Sequence, residues 1–247
     1  MSNSAITHNV YVDESGHSGR FPFADTNQPN HICGAVWLPS QHLGAWSERF
    51  RDLCSKHNNR MPELKGSRLA SSAPGRRLLL EIVGLLIERK ISISLVVVQK
   101  SWVAAGVIIE DCSDHFYNEK FDHSWTYPTV EKKQTIDWIA ANVPHGMATS
   151  YLRARRNPDV EALKETATRL FSALALAPGS PRDILRRLAQ ADFGLISKTV
   201  LSGAPDYSSN LTAFVALLNF AQQQAQSLDA LCAVVHDRQV EFEPDFQ

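Results

Sequence analysis

The chain has 247 residues, 44% of them hydrophobic and 21% charged, enough to bury a sizeable core as one elaborated domain or two small ones. Twelve glycines, twelve prolines and 9% aromatics exclude collagen-like, low-complexity and mostly disordered chains. A formal charge of −1 argues against coating DNA through overall positive charge and leaves a local basic groove open.

His8–Val12 is a β-prone run halted by DESGHSG, so a first strand ends in two carboxylates, Asp13 and Glu14. Residues 31–38 form a second apolar strand, closed by Pro39. Ser40 is the expected N-cap of a first helix carrying Leu43, Trp46, Phe50 and Leu53 at helical spacing. A second helix is expected around Leu78–Arg89, and ISISLVVV at 91–98 is the clearest strand. From about 101 to 227 the pattern is mainly helical, with segments near 129–143, 159–177 and 210–226 and a short one around SPRDILRRLAQ. Strand character returns at 228–237, where Leu231–Val235 run into His236 and Asp237. This gives an α/β organisation of three parts: 1–100, a helical layer or insertion at 101–227, and a terminal strand with its tail at 228–247. The four cysteines are scattered, with no CxxC pair, and are read as small apolar fillers. The opening residues lack the pattern of an export signal and no run of 18 apolar residues follows, so a reduced, cytoplasmic protein without membrane insertion is expected.

If the first and last strands are parallel neighbours, their carboxyl ends bring Asp13 and Asp237 to one crevice. Crowded carboxylates repel unless protonated or balanced by cations, and hard oxygen ligands suit Mg²⁺ or Mn²⁺. The same acids are also ordinary turn residues open to water. Glu63 in PELKG is a candidate third oxygen ligand, and Lys65 a candidate to hold a phosphate or water, in a segment that equally reads as a solvated loop.

YVDESGHSG at 11–19, ELK at 63–65 and VVHDRQVEFE at 234–243 together resemble the bacterial family designated domain of unknown function 3800, which opens with a Y-x-D-E-S-G strand. The resemblance implies an RNase H-like mixed sheet with flanking helices and a large helical insertion. It implies Asp13, Glu63 and Asp237 as metal ligands, Glu14 as the neighbour of the first, and His236 as a group orienting a carboxylate or phosphate. It also implies a further strand and an acid-bearing helix after the HD region, which these 247 residues lack. The expectation that follows is a Mg²⁺- or Mn²⁺-dependent nuclease acting on RNA or DNA. The alternative is a non-catalytic nucleic-acid or protein-binding module with a degenerate core.

Other signals are less specific. His17 lies near the strand-end acids and is a candidate contact for metal or phosphate, or an ordinary histidine of a flexible turn. Residues 150–200 hold nine Lys/Arg against five Asp/Glu, a local balance of +4. There Tyr151, Arg153, Arg155 and Arg156 are candidate nucleic-acid contacts, extended by Arg182, Arg186 and Arg187, with solvation of helices as the plainer account. Trp125 and Tyr127 are further candidates for base stacking, while Trp138 reads as helix packing. The helical region is also a candidate surface for a protein partner or a second copy of the chain.

Overall fold

A computed structural model describes residues 6–15, 28–57, 66–157, 159–201 and 209–236. It is a mixed α/β fold in which a four-stranded sheet is flanked by helices. The strands are β1 (His8–Ser15), β2 (Asn30–Pro39), β3 (Ser92–Gln99) and β4 (Cys232–His236), in the order β3-β2-β1-β4. β4 runs parallel to β1, from His8 opposite Cys232 to Val12 opposite His236. β2 runs against β1: Ser40 N–H donates to Thr7 O at 2.9 Å, while Gly34 lies near the carbonyl of Asp13 at the other end. The strand positions expected from β-branched and aromatic runs are therefore close to those observed.

The chain divides into two compact units. One contains Met1–Asp13, Cys33–Val96 and Val215–Gln247 and carries most of the sheet. Its helices are α1 (Leu43–Lys56), α2 (Gly66–Ala70), α3 (Ala73–Glu88) and the later part of α10 (Ser209–Ser227). Alternation along β1 buries Val10 and Val12 while exposing Asp13, the pattern of a strand with one face on a core. Ser72 caps α3 by accepting from Gly75 N–H at 3.1 Å, with Pro74 in the first turn where its missing N–H is harmless.

Ser40 does not cap α1. It opens a short 3-10 turn, Ser40–His42, and its hydroxyl oxygen accepts from Asn9 Nδ2 at 3.0 Å. The side chain expected to start a helix instead ties that turn to the first strand. Two helices enter strands through the same closure. At the end of α3, Lys90 N–H donates to Ile87 O and Ile91 N–H to Leu86 O; after α10, Asp229 donates to Gln226 O and Ala230 to Ala225 O. The turning residues, Lys90 and Asp229, have φ of 51° and 48°, the left-handed conformation that this closure needs and glycine adopts most easily.

The second unit, Glu14–Ile32 and Val97–Phe214, is mainly helical. It contains α4 (Lys100–Ser113), α5 (Val130–Asn142), α6 (His145–Arg156), α7 (Val160–Ala175), α8 (Arg182–Leu188) and α9 (Phe193–Leu201). The composition of α4 is apolar nearly all round, and it is buried on most of its surface, as such a helix must be. Around it lie Tyr151, Leu163, Leu170, Leu174 and Leu188, all essentially without exposure. Trp138 packs against this cluster, as its helical context predicts. Thr129 and Asp159 cap α5 and α7. Among the described residues no helix is long and apolar enough to cross a membrane.

Candidate functional site

The parallel pairing of β1 with β4 sets two carboxyl ends side by side, with Val12 and His236 in register. Asp13 follows Val12 and is exposed, while the buried Val10 and Val12 hold its strand in place from the opposite face. Side chains in register on parallel strands share a face, so His236 projects with Val12 and Asp13 from the other side. His236 therefore adjoins the strand end without sharing Asp13's face. Glu14, the next residue of β1, alternates with Asp13 and is half-buried. Asp237, Glu63, Lys65 and His17 lie outside the described residues. Among the described residues no group of three or more His, Cys, Asp or Glu is gathered to hold a metal ion.

The expected nucleic-acid track on α6 divides according to helical phase. Tyr151 is fully buried and Arg155 is 5% exposed, so neither presents its polar group to a strand of nucleic acid, and both expectations are corrected. Arg155 Nε reaches Asp111 Oδ2 at 2.8 Å, and Tyr151 Oη donates to the same oxygen at 3.0 Å. Cys112 Sγ lies 3.7 Å from Tyr151 Oη. Burial pushes the Asp111 carboxyl above its ordinary range, opposed by the charge and hydrogen bond of Arg155 and by the hydroxyl of Tyr151. Burial also raises Cys112, with the Asp111 charge adding to it, and holds Tyr151 well above the usual phenol value. These groups form a neutral thiol and phenol around a buried ion pair: an internal brace between α4 and α6, with no route to substrate.

Arg153 and Arg156, on the opposite phase of α6, are exposed. Of the proposed extension, Arg187 lies 4.1 Å over the Phe121 ring and donates to Lys120 O at 2.9 Å through Nε. Arg186 pairs with Asp183 at 3.2 Å, and Arg182 donates to Ala175 O. Trp125 is buried, its ring edge-on to Phe121 at 4.6 Å, whereas Tyr127 is exposed. The basic stretch thus mixes internal ties with surface cations and is not a continuous open stripe.

Sequence spacing contains the signal that separates the two sets. Ala148, Tyr151 and Arg155 recur at i, i+3 and i+7, the buried side of a helix, and an acid inside apolar VAAGVIIED calls for a buried cation. Comparison with family models, curated proteins and solved structures gives no match.

Proposed function

We propose that this protein is a metal-dependent phosphodiester hydrolase acting on RNA or DNA, built on an RNase H-like sheet. The observation that carries the reading is the parallel β1–β4 pairing, which sets the end of β1, with Asp13, beside the end of β4. The strand order supports it too, because the first strand, inside the sheet, and the last, at its edge, are neighbours that share a carboxyl edge. The combined YVDESG, ELK and HDRQ segments support the family resemblance.

A hard divalent cation fits the donors in type. Asp13 is an exposed carboxylate on a buried strand, and Glu63 and Asp237, the other residues proposed to hold Mg²⁺ or Mn²⁺, also offer carboxylate oxygens. Such an ion, when bound, supplies Lewis acidity toward a phosphodiester and makes water a better nucleophile near neutral pH. The chain's own contribution is to hold Asp13 on a strand whose other face is packed, limiting the freedom of its carboxylate. Lys65 is assigned to phosphate binding; Glu14 and His236 stand at the strand ends on the face opposite Asp13, where they support the edge and do not orient its carboxylate.

The test is cleavage of labelled RNA, DNA and hybrid substrates with Mg²⁺, with Mn²⁺ and with chelator. Cleavage is expected only with metal, and Asp13→Asn or Asp237→Asn is expected to reduce it by about two orders of magnitude or more. Equal cleavage by wild type and Asp13→Asn removes Asp13 from the site. Metal-independent binding without cleavage supports the non-catalytic module instead.

A further inference from the structure

At the opposite end of the sheet from Asp13, the sheet-bearing unit carries a partly open cavity of about 470 Å³. Its walls come from the start of β1, the end of β2, the beginning of α1, the turn between α3 and β3, and the last turn of α10. That volume lies within the range of small-molecule sites, about 300–1,000 Å³. We propose that this cavity binds a planar, anionic ligand of mononucleotide size. The proposal does not rest on the phosphodiesterase reading, since none of the residues assigned there lines this cavity.

The lining combines aromatic surface with positive charge. Trp37 is 3% exposed and its indole N–H is already committed to Ser94 Oγ at 3.2 Å, leaving it chiefly as apolar wall. Trp46 is half-buried and stacks on Phe50 with ring centroids 6.4 Å apart, which steadies a second indole at the cavity. The half-buried Trp46 indole suits a flat heterocycle, with Trp37 packed behind the wall. Arg49, Arg89 and Lys90 supply three cations against the carboxylate of Glu88. Glu88 lies 3.8 Å from Arg89; among the described residues no carboxylate pairs with Arg49 or Lys90. His8 and His42 add two imidazoles to the same lining. Cations around an aromatic-walled cavity match a phosphate attached to a base better than a neutral or cationic ligand.

The backbone supplies an independent observation. Lys90 occupies the left-handed closing position of α3, with φ of 51°, where glycine avoids the steric penalty of a side chain. The strained residue brings an ammonium group to the cavity wall, a placement glycine cannot provide. A ligand phosphate gives that placement a function.

Calorimetric titration of the full chain with each of the four ribonucleoside 5′-monophosphates, and with the matching nucleosides, tests the proposal. At least one monophosphate is expected to bind saturably and more tightly than its nucleoside. Arg49→Ser, at an exposed position, is expected to weaken binding about tenfold, the loss of one charge-assisted contact. Lys90→Gly is expected to raise Tm while weakening binding, whereas a purely structural lysine would change Tm alone. Asp13→Asn should leave this binding unchanged, which separates it from failure or success of the nuclease reading. The proposal is overturned if none of the four monophosphates binds saturably at millimolar concentration, if Arg49→Ser and Lys90→Gly both leave binding intact, or if Asp13→Asn abolishes it.

Discussion

The two units place their charged groups in opposite ways. In the helical unit several are drawn inside: Asp111 with Arg155, and Lys132 Nζ between Glu110 Oε1 at 2.7 Å and Trp125 O at 2.6 Å. In the sheet-bearing unit Asp13 is exposed near the end of β1, and Arg49 and Lys90 line a cavity. A buried ion pair is retained only when its geometry and surrounding hydrogen bonds offset desolvation, so its members are committed to the fold. Local charge alone therefore does not mark a functional surface: part of the basic stretch at 150–200 is core, and only the packing of each element separates its buried cations from its exposed ones.

The sharpest way to break this contrast is to remove Arg155. Arg155→Met leaves Asp111 buried without its cation and is expected to destabilise the protein by about 3–5 kcal/mol at neutral pH. Arg156→Ala, one residue away on the exposed phase, should change stability by less than about 0.5 kcal/mol. Urea unfolding of both variants measures the difference. pH adds a second readout. Because the folded-state pKa of Asp111 is raised, its contribution is fully present below the unfolded carboxylate value and is lost as pH rises through the folded value. Without Arg155 the charged form is still less favourable, so the deficit of Arg155→Met should grow from acid to neutral pH. Equal, small losses in the two variants would mean that Arg155 is not part of the core.

A smaller effect tests whether the sheet-bearing unit is loosely built. A methyl group at Gly75 would lie 2.2 Å from Leu69 O and 2.6 Å from Leu69 Cα, so α2 and α3 meet backbone to backbone. Overpacking of about 1–3 kcal/mol outweighs the helical advantage of alanine, and Gly75→Ala should lower stability. Gly84, in the same helix, has nothing within 4 Å of its added Cβ, and Gly84→Ala should stabilise by about 0.5–1 kcal/mol. Opposite signs in thermal melts place the close packing at the α2–α3 contact; gains at both positions would show that α2 yields.

The strands were legible because a buried strand needs consecutive β-branched and apolar residues, as in ISISLVVV, and carries its signal locally. The parallel β1–β4 neighbourhood, suggested by matching strand ends, is also observed. Long-range pairing was harder to read. Arg155 and Asp111 are 44 residues apart, so helical spacing can mark Arg155 as lying on the buried side of α6 but cannot name the acid it meets. Ser40 has the chemistry of an N-cap, but Asn9, brought beside it by the sheet, engages its hydroxyl. The cavity was missed for the same reason: His8, Trp46, Lys90 and Leu228 meet only after the elements assemble. For the strand-end site, the sequence proposes more ligands than the described residues include, since Glu63 and Asp237 lie outside them.

The smallest expected effect lies at the surface of the sheet-bearing unit, where Glu81 accepts from Lys56 Nζ at 3.1 Å and lies 2.9 Å from His57 Nε2. The hydrogen bonds of Lys56 and then His57 hold the Glu81 carboxyl below its ordinary value. A depressed folded pKa stabilises the protein above the unfolded carboxylate value, and that contribution is lost as pH falls through the folded value. Glu81→Gln should therefore have a lower urea midpoint than wild type at neutral pH, with the two converging in acid. High salt should narrow the neutral-pH gap, because water and ions screen an exposed pair. The pH trend matches that of Arg155→Met, since both deficits shrink in acid, but the causes differ: Glu81→Gln loses a favourable charged group, whereas Arg155→Met strands an unfavourable one. Salt distinguishes them, since the buried Asp111 is shielded far less, and a salt-sensitive Arg155→Met deficit beside a salt-insensitive Glu81→Gln deficit would invert the proposed division between the units.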